Sequence, residues 1–497
     1  MVPPFQWEGV MSTVSLGMML EEVRNKYPDN VSLIYNDRRL TYNELNKYSN
    51  ALSHVLKNLG IVKGDKVSLM LPNIPEFVIS YLSVAKLGAV AVTLNVLSTP
   101  YELTYLLNNS DSKILITTSS SAKKFDEIQD RLDTCRHMIC VDDPHDDSPC
   151  RKAFRDGPFD LDMADVDKDD PAVMIYTSGL TGDPLGAVLT HGNLSTQWTL
   201  LKDICEGTDK DRGLSIIPFF HSFGASANLL SVLHPGASSV LMDQFSLDKI
   251  FQTIEQEKVT YIAAVPRLFL GMLMHQGVEN YDLSSLRLCI TGGSAMPPKF
   301  IPAFEQKFTV KLMEGYGLTE ASPVCSFSRI HMEQKPGSIG IPIPGAQAKV
   351  VDDSGNDLPA GTEGELVIKG ANVMKGYYKN ESATAEVIKN GWLHTGDLAR
   401  IDTDGYIFLT GRKKRMIITS GFNVYPREVE RVLDMHPAIA KSRVVAKADL
   451  MRGEIVKALI VRKDTVEVDD KEILRHCRKY LSSHKIPREV EFVNGLD

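Results

Sequence analysis

The segment Tyr176-Thr-Ser-Gly-Leu-Thr-Gly-Asp-Pro-Leu-Gly-Ala-Val-Leu-Thr-His191 gathers three glycines (Gly179, Gly182 and Gly186) with the hydroxyls of Thr177, Ser178 and Thr181. Backbone N–H groups uncovered by glycine, together with short hydroxyl side chains, can wrap the oxygens of a phosphate. The spacing is not that of a Walker A loop, because no Gly-Lys-Ser/Thr closes it. Taken alone, such a loop reads by default as an ordinary tight turn. Other residues able to do chemistry are equally ambiguous one at a time. Glu320 alone is a surface acid, the Thr-Gly-Asp ending at Asp397 is a turn, and Tyr316 is a core aromatic.

The elements around these residues follow from periodicity. Thr41–Gly60 predicts a helix, with Leu45, Tyr48, Leu52, Val55, Leu56 and Leu59 at helical spacing. Thr41 and Glu44 form a Thr-x-x-Glu capping box, and Gly60 suits the left-handed position after the last turn. Asp65–Leu71 predicts a strand, Ile74–Leu87 a helix, Ile114–Thr118 a strand with a helix in the 120s, and Ala172–Ile175 a strand leading into the Gly/Thr loop. Strand–helix alternation argues for parallel, doubly wound sheets. From about 335 to 411 the pattern becomes short Val/Ile-rich runs (Ala348–Asp352, Gly364–Ile368, Tyr406–Leu409) broken by Gly, Pro, Asp and Asn, which predicts a small antiparallel sheet or barrel.

Composition narrows the function. The chain has 497 residues, 43% hydrophobic and 24% charged, which fits several packed units and excludes a disordered or collagen-like chain. A net charge of −8 is not the footprint of a nucleic-acid binder. The charge is uneven: residues 411–497 hold 19 Lys+Arg against 13 Asp+Glu, a net of +6, and the rest carries −14. A basic module on an acidic body is either solvated surface or a lid that meets a polyanion. Seven scattered cysteines without a Cys-x-x-Cys fit a reduced, cytoplasmic compartment. No basic start precedes an apolar run, so no signal peptide is expected, and no apolar run reaches the ~20 residues of a bilayer span.

Several motifs in order carry a resemblance. The Tyr176–His191 loop, Pro218-Phe-Phe-His-Ser-Phe-Gly224, Gly292-Gly-Ser-Ala-Met-Pro297, Glu314-Gly-Tyr-Gly-Leu-Thr-Glu320, Gly391-Trp-Leu-His-Thr-Gly-Asp397 and the Gly411–Pro426 stretch together resemble the adenylate-forming superfamily of acyl-CoA synthetases, peptide-synthetase adenylation domains and beetle luciferases. The resemblance spans essentially the whole chain. It is strongest to medium- and long-chain fatty acyl-CoA ligases, with 4-coumarate ligases close behind. It implies an α/β fold: a large N-terminal domain (1–411) of two doubly wound sheets and a small β-barrel, and a small mobile α+β lid (412–497). The implied reaction joins a small carboxylic acid to ATP as an acyl-AMP, with Mg²⁺ as cofactor, and then passes the acyl group to coenzyme A.

Residue roles follow from the same resemblance. Thr177, Ser178, Gly179, Thr181 and Gly182 would line the phosphates. Gly292, Gly293, Gly315, Tyr316 and Gly317 would hold adenine, with Tyr316 stacked on the base. Thr319 would reach the α-phosphate, Glu320 would hold Mg²⁺, Asp397 would hold both ribose hydroxyls, and Arg412 would reach the ribose or phosphate. Lys414 matches the lid hinge, and Gly421 and Asn423 match positions beside the pantetheine tunnel of the thioester-forming pose. His221 matches a pocket-edge histidine, although a histidine flanked by Phe219, Phe220 and Phe223 serves as well in a packed core, where those phenylalanines also read.

Three departures accompany the resemblance. Leu180 stands where the loop usually has Thr, and Leu185 stands where it has Lys, which predicts weakened adenylation. The sequence ends at Asp497, ahead of the lysine of the family's final motif, so a C-terminal tail is expected to be absent from the sequence; Lys485 belongs to the preceding Lys-Ile-Pro element. Phe219–Leu230 contains no acid to pair an ammonium, so an uncharged acyl tail, fatty or aromatic, is the expected substrate. The alternative is a non-catalytic acyl-adenylate or nucleotide binder of the same fold. The sequence leaves a homo-oligomer open.

Overall fold

The computed structural model describes residues 15–178, 183–244, 246–413, 416–449, 452–463 and 468–496. The capping box at Thr41 forms as the sequence dictates: Thr41 accepts the Glu44 N–H, Glu44 returns to the Thr41 N–H, and the helix runs Tyr42–Asn58. Gly60 follows it at φ +84°, the left-handed geometry that lets the chain turn towards the next strand. That strand, Lys66–Met70, is apolar at alternate and intervening positions alike, and its last four residues are buried. Continuous burial of this kind marks a strand covered on both faces.

Two large sheets result. In the first, Lys66–Met70 pairs in parallel with Val90–Thr93 and Ser112–Thr117, Val90–Thr93 pairs in parallel with Pro171–Ser178, and His137–Cys140 closes one edge. Pro171–Ser178 turns back antiparallel into Pro184–Thr190, which pairs with Gly376–Tyr377 at the other edge. In the second sheet, Val31–Tyr35, Ser238–Leu241, Arg212–Ser215, Tyr261–Ala264, Leu288–Thr291 and Lys311–Gly317 run parallel in that order. Arg38–Thr41 at one end and Val324–Phe327 and Ile341–Pro342 at the other are antiparallel.

Of the two forms allowed for the region past 335, the strands make a five-stranded antiparallel sheet among the described residues: Ala346–Val351, Gly364–Gly370, Trp392–Ile401, Ile388–Lys389 and Ile407–Arg412. The C-terminal unit has its own sheet, in which Gly453–Arg462 pairs with Ile439–Asp449, Ile417–Thr419 and Glu489–Phe492, and Phe422–Val424 extends it beyond Ile417–Thr419. Helices Pro426–Asp434 and Asp470–Tyr480 pack on it through Val429, Val432, Leu433, Ile473 and Cys477. This core is separate from those of the body. No helix among the described residues is long and apolar enough to cross a membrane.

Candidate active site

The Gly/Thr loop joins strands Pro171–Ser178 and Pro184–Thr190, which pair antiparallel with Thr177 opposite Leu185. Gly179, Leu180, Thr181 and Gly182, the side chain of Ser178, and Lys414 lie outside the described residues. What is described is the frame around the loop. Gly376–Tyr377 pairs with the second hairpin strand, Tyr377 opposite Ala187. This places the Tyr377 phenol where it donates to Glu320 Oε1 at 2.7 Å, and the Thr177 hydroxyl lies 3.3 Å from the same oxygen. Glu320 sits on the short 3₁₀ turn Thr319–Ala321 after strand Lys311–Gly317, and its carbonyl accepts the Met374 N–H at 2.8 Å. On that turn the Thr319 hydroxyl lies 3.3 Å from Ser222 Oγ.

A second group gathers at the end of the same strand. The Tyr316 phenol donates to Asp397 Oδ2 at 2.5 Å. Burial, reinforced by that carboxylate, holds the phenol well above its ordinary pKa. Asp397 and Arg412 face each other across paired strands, with Arg412 Nε 3.6 Å from Asp397 Oδ1. Gly292 lies under the Phe223 ring and against the Gly315 carbonyl, and Gly293 adopts φ +79°. Gly317 admits no side chain at all: a Cβ there would stand 2.1 Å from the Pro323 oxygen. Glu314, one strand position before Gly315, is pushed up to about pKa 7 by burial, and its Oε1 accepts the Met296 N–H at 3.2 Å.

Thr177 and Thr319 of the first group border a cavity of about 140 Å³ between the body and the C-terminal unit. Thr177, His221 and Thr319 line it from the body, and Phe422 and Asn423 from the C-terminal hairpin. His221 is therefore at a pocket edge. Burial lowers its pKa to about 4, and its Nδ1 accepts the Phe223 N–H at 3.3 Å, so the ring is neutral with its proton on Nε2. The neighbouring phenylalanines divide: Phe219 is fully buried against Phe77, as a core residue should be, but Phe220 lines the cavity, which the core reading did not foresee. Gly421, at φ +87°, lets the hairpin press on the body, since a Cβ there would lie 2.6 Å from Val265 Cγ1. Ser420 beside it accepts from Arg267 at 3.2 Å.

Leu185, where the resemblance expects lysine, packs half-buried against the body's core instead of presenting a charge. Among the described residues no group of three or more His, Cys, Asp or Glu is arranged to hold a metal by itself. Glu320 nonetheless fits Mg²⁺: an oxygen donor steadied by two hydroxyls suits an ion that takes one or two carboxylates and completes its octahedron with phosphate oxygens and water. Sequence reading missed Tyr377, Ser222 and the charged residues Glu102, Glu428 and Lys485 that border the same cavity. The adjacent tyrosines of Gly376-Tyr-Tyr378 were the one available signal for the first.

The AMP-binding enzyme family profile matches residues 20–378, and the AMP-binding enzyme C-terminal domain matches residues 428–497. The chain belongs to the AMP-binding enzyme family. It is 33% identical to a long-chain-fatty-acid–CoA ligase of Bacillus subtilis (strain 168), over 97% of this chain and 91% of that one. Among solved structures it is similar to a double mutant of o-succinylbenzoate CoA synthetase from Bacillus subtilis bound with its product analogue OSB-NCoA, at TM-score 0.87 and 29% identity over 96% and 95% of the two chains. The anthranilate CoA ligase AuaEII in complex with anthranoyl-AMP gives 0.77 at 28% identity over 97% and 94%. The chain is an AMP-forming acyl-CoA ligase.

Proposed function

We propose a fatty or aryl carboxylic acid as the substrate of this ligase, activated with Mg²⁺-ATP to acyl-AMP and passed to coenzyme A in the reduced cytoplasm. The observation that carries the reading is the meeting of Thr319 and His221 with the Phe422–Asn423 hairpin around one cavity, with Glu320 next to Thr319 held by Tyr377 and Thr177. All seven cysteines are free thiols, which suits the compartment.

A carboxylate is a poor acyl donor because oxide is a poor leaving group. Attack of its oxygen on the α-phosphorus of ATP expels pyrophosphate and leaves AMP as the leaving group. In this reading the Thr319 hydroxyl, steadied by Ser222, donates to the α-phosphate. Mg²⁺, when bound at Glu320, draws charge from the phosphate oxygens. Tyr377 and Thr177 keep the Glu320 carboxylate aimed by donating to it. Asp397 fixes the Tyr316 ring as a platform for the purine. A carboxylate offers about four lone-pair sites, enough for that phenol and both ribose hydroxyls.

The second step needs a thiolate to reach the acyl carbon. The pose seen here, with Gly421 pressed on Val265 and Asn423 in the cavity wall, supports a thioester-forming arrangement. The neutral His221 and the phenylalanines beside it favour an uncharged acyl group. The Glu320 cluster favours catalysis over mere ligand binding. Incubation with Mg²⁺-ATP, coenzyme A and a panel of aliphatic and aryl acids, read by mass spectrometry, tests the proposal. Acyl-CoA and AMP in equal amounts are expected from at least one acid; ADP as product, or no thioester from any acid, would refute it.

A further inference from the structure

At the mouth of the cavity a lysine is buried between two carboxylates. Lys485 Nζ donates to Glu428 Oε1 at 2.6 Å within the C-terminal unit and to Glu102 Oε1 at 2.8 Å across the boundary to the body. The side chains of Lys485, Glu102 and Glu428 are 14%, 9% and 4% exposed. Glu102 is prepared for this role by its own helix. It occupies the third position of Pro100–Asn109, where its Oε2 accepts the Thr99 N–H at 2.8 Å and the helix terminus favours an anion.

The surrounding contacts bind the same two units. Ser482 Oγ lies 2.7 and 2.8 Å from the two Glu102 oxygens, Thr99 Oγ1 donates to the Tyr480 carbonyl at 3.0 Å, and the Tyr101 and Tyr480 rings meet edge to face. One residue before Lys485, His484 stacks on Phe422 at 4.7 Å between centroids. The segment 480–485 therefore ties the cavity hairpin, through its own aromatic ring, to the helix beginning at Pro100.

We propose that Lys485 is the latch that holds the C-terminal unit in this pose, and that thioester formation depends on it while acyl-AMP formation does not. The second half rests on the reading of this pose as the thioester-forming one. The division of partners makes the latch reversible. Glu428 and Lys485 lie on the same unit and stay paired when it moves away, while Glu102 keeps its helix-cap contacts on the body. Neither side is left as a bare buried charge on opening. Without Lys485 the contact inverts, because two carboxylates then face one another in a buried site. Lys485 is thus a positioning residue that acts through the hairpin and touches no reacting atom.

Lys485→Met tests this in the full chain. Thioester formation from supplied acyl-AMP and coenzyme A should fall about 100-fold, as expected for an uncompensated buried charge. Acid-dependent ATP–pyrophosphate exchange should stay within about threefold. Lys485→Arg should recover much of the thioester rate, and pairing Lys485→Met with Glu102→Gln should recover part of it. The pose itself is read by a short bis-maleimide bridge between Arg267→Cys and Ser420→Cys, whose parent side chains are in contact here. Lys485→Met should lower the yield of that bridge. An unchanged yield, or an equal fall in both half-reactions, overturns the latch. A lowered yield with an intact thioester rate keeps the latch and overturns the thioester reading of the pose.

Discussion

The Tyr316–Glu320–Asp397 cluster and the interface with the C-terminal unit are both polar, yet they are built on opposite principles. Tyr316, Glu320 and Asp397 are held by hydrogen bonds from neighbouring strands of the body, each carboxylate met by hydroxyls. Such a cluster is fixed in advance, which is what stabilising charge on phosphate requires. Glu102, Lys485 and Glu428 instead bury net charge at a boundary between separate cores, with partners shared out so that parting costs little. One region is organised to hold still and the other to let go.

The largest effect is expected where the fixed cluster is broken. Glu320→Ala should lower acid-dependent pyrophosphate exchange by about 100- to 1,000-fold, in the range for losing a preorganised electrostatic group. Thioester formation from supplied acyl-AMP should change far less, and parallel losses would erase the contrast between the two regions. Next is the movable side. Gly421→Ala adds a Cβ that would stand 2.6 Å from Val265 Cγ1, at a φ of +87° that L-residues avoid. The thioester step should fall roughly 10- to 100-fold with pyrophosphate exchange nearly kept, and Val265→Ala in the same chain should restore part of it.

Tyr377→Phe removes one donor from Glu320 and should reduce pyrophosphate exchange about tenfold, since a hydrogen bond to a charged group contributes about 1.5–3 kcal/mol. Leu185→Lys sharpens the comparison from the other direction. It should raise the exchange rate severalfold by returning a cation beside the loop. The half-buried leucine it removes should cost about 1 kcal/mol in thermal unfolding. The last effect concerns stability, not catalysis. Glu314 binds its proton up to about pH 7 when folded but only to about 4.5 when unfolded, so ionisation of the unfolded chain lowers stability as pH rises through that window. Glu314→Gln should flatten this decline and add about 1–3 kcal/mol at pH 8, with little change at pH 4, measured by denaturant unfolding.

What was legible in the sequence was local. The Thr41–Glu44 box and Gly60 are set within a few residues, and the helix between them begins and ends within two residues of where they predict. Strand–helix alternation gave the parallel sheets for the same reason. Tyr316, Thr319, Glu320 and Asp397 could be picked out because each lies in a distinctive run, and the structure sets Tyr316 on Asp397 and Thr319 beside Ser222. Tyr377 could not, because it reaches Glu320 only through an edge strand pairing with Pro184–Thr190. Lys485 was visible only as part of Lys-Ile-Pro; its partner Glu102 lies 383 residues away, and no periodicity links them. The fate of Leu185 was also hidden, since hydropathy alone does not say whether a leucine faces a phosphate loop or the core beneath it.

Acyl-AMP formation depends on the carboxylate oxygen attacking the α-phosphorus. A substrate acid labelled with ¹⁸O in both carboxylate oxygens tests that bond directly, with mass spectrometry of the AMP and the thioester after turnover. One labelled oxygen should appear in each AMP and one should remain in each acyl-CoA. AMP without label, or a nucleotide product other than AMP, would contradict an acyl-adenylate and with it the roles given to Thr319 and Glu320.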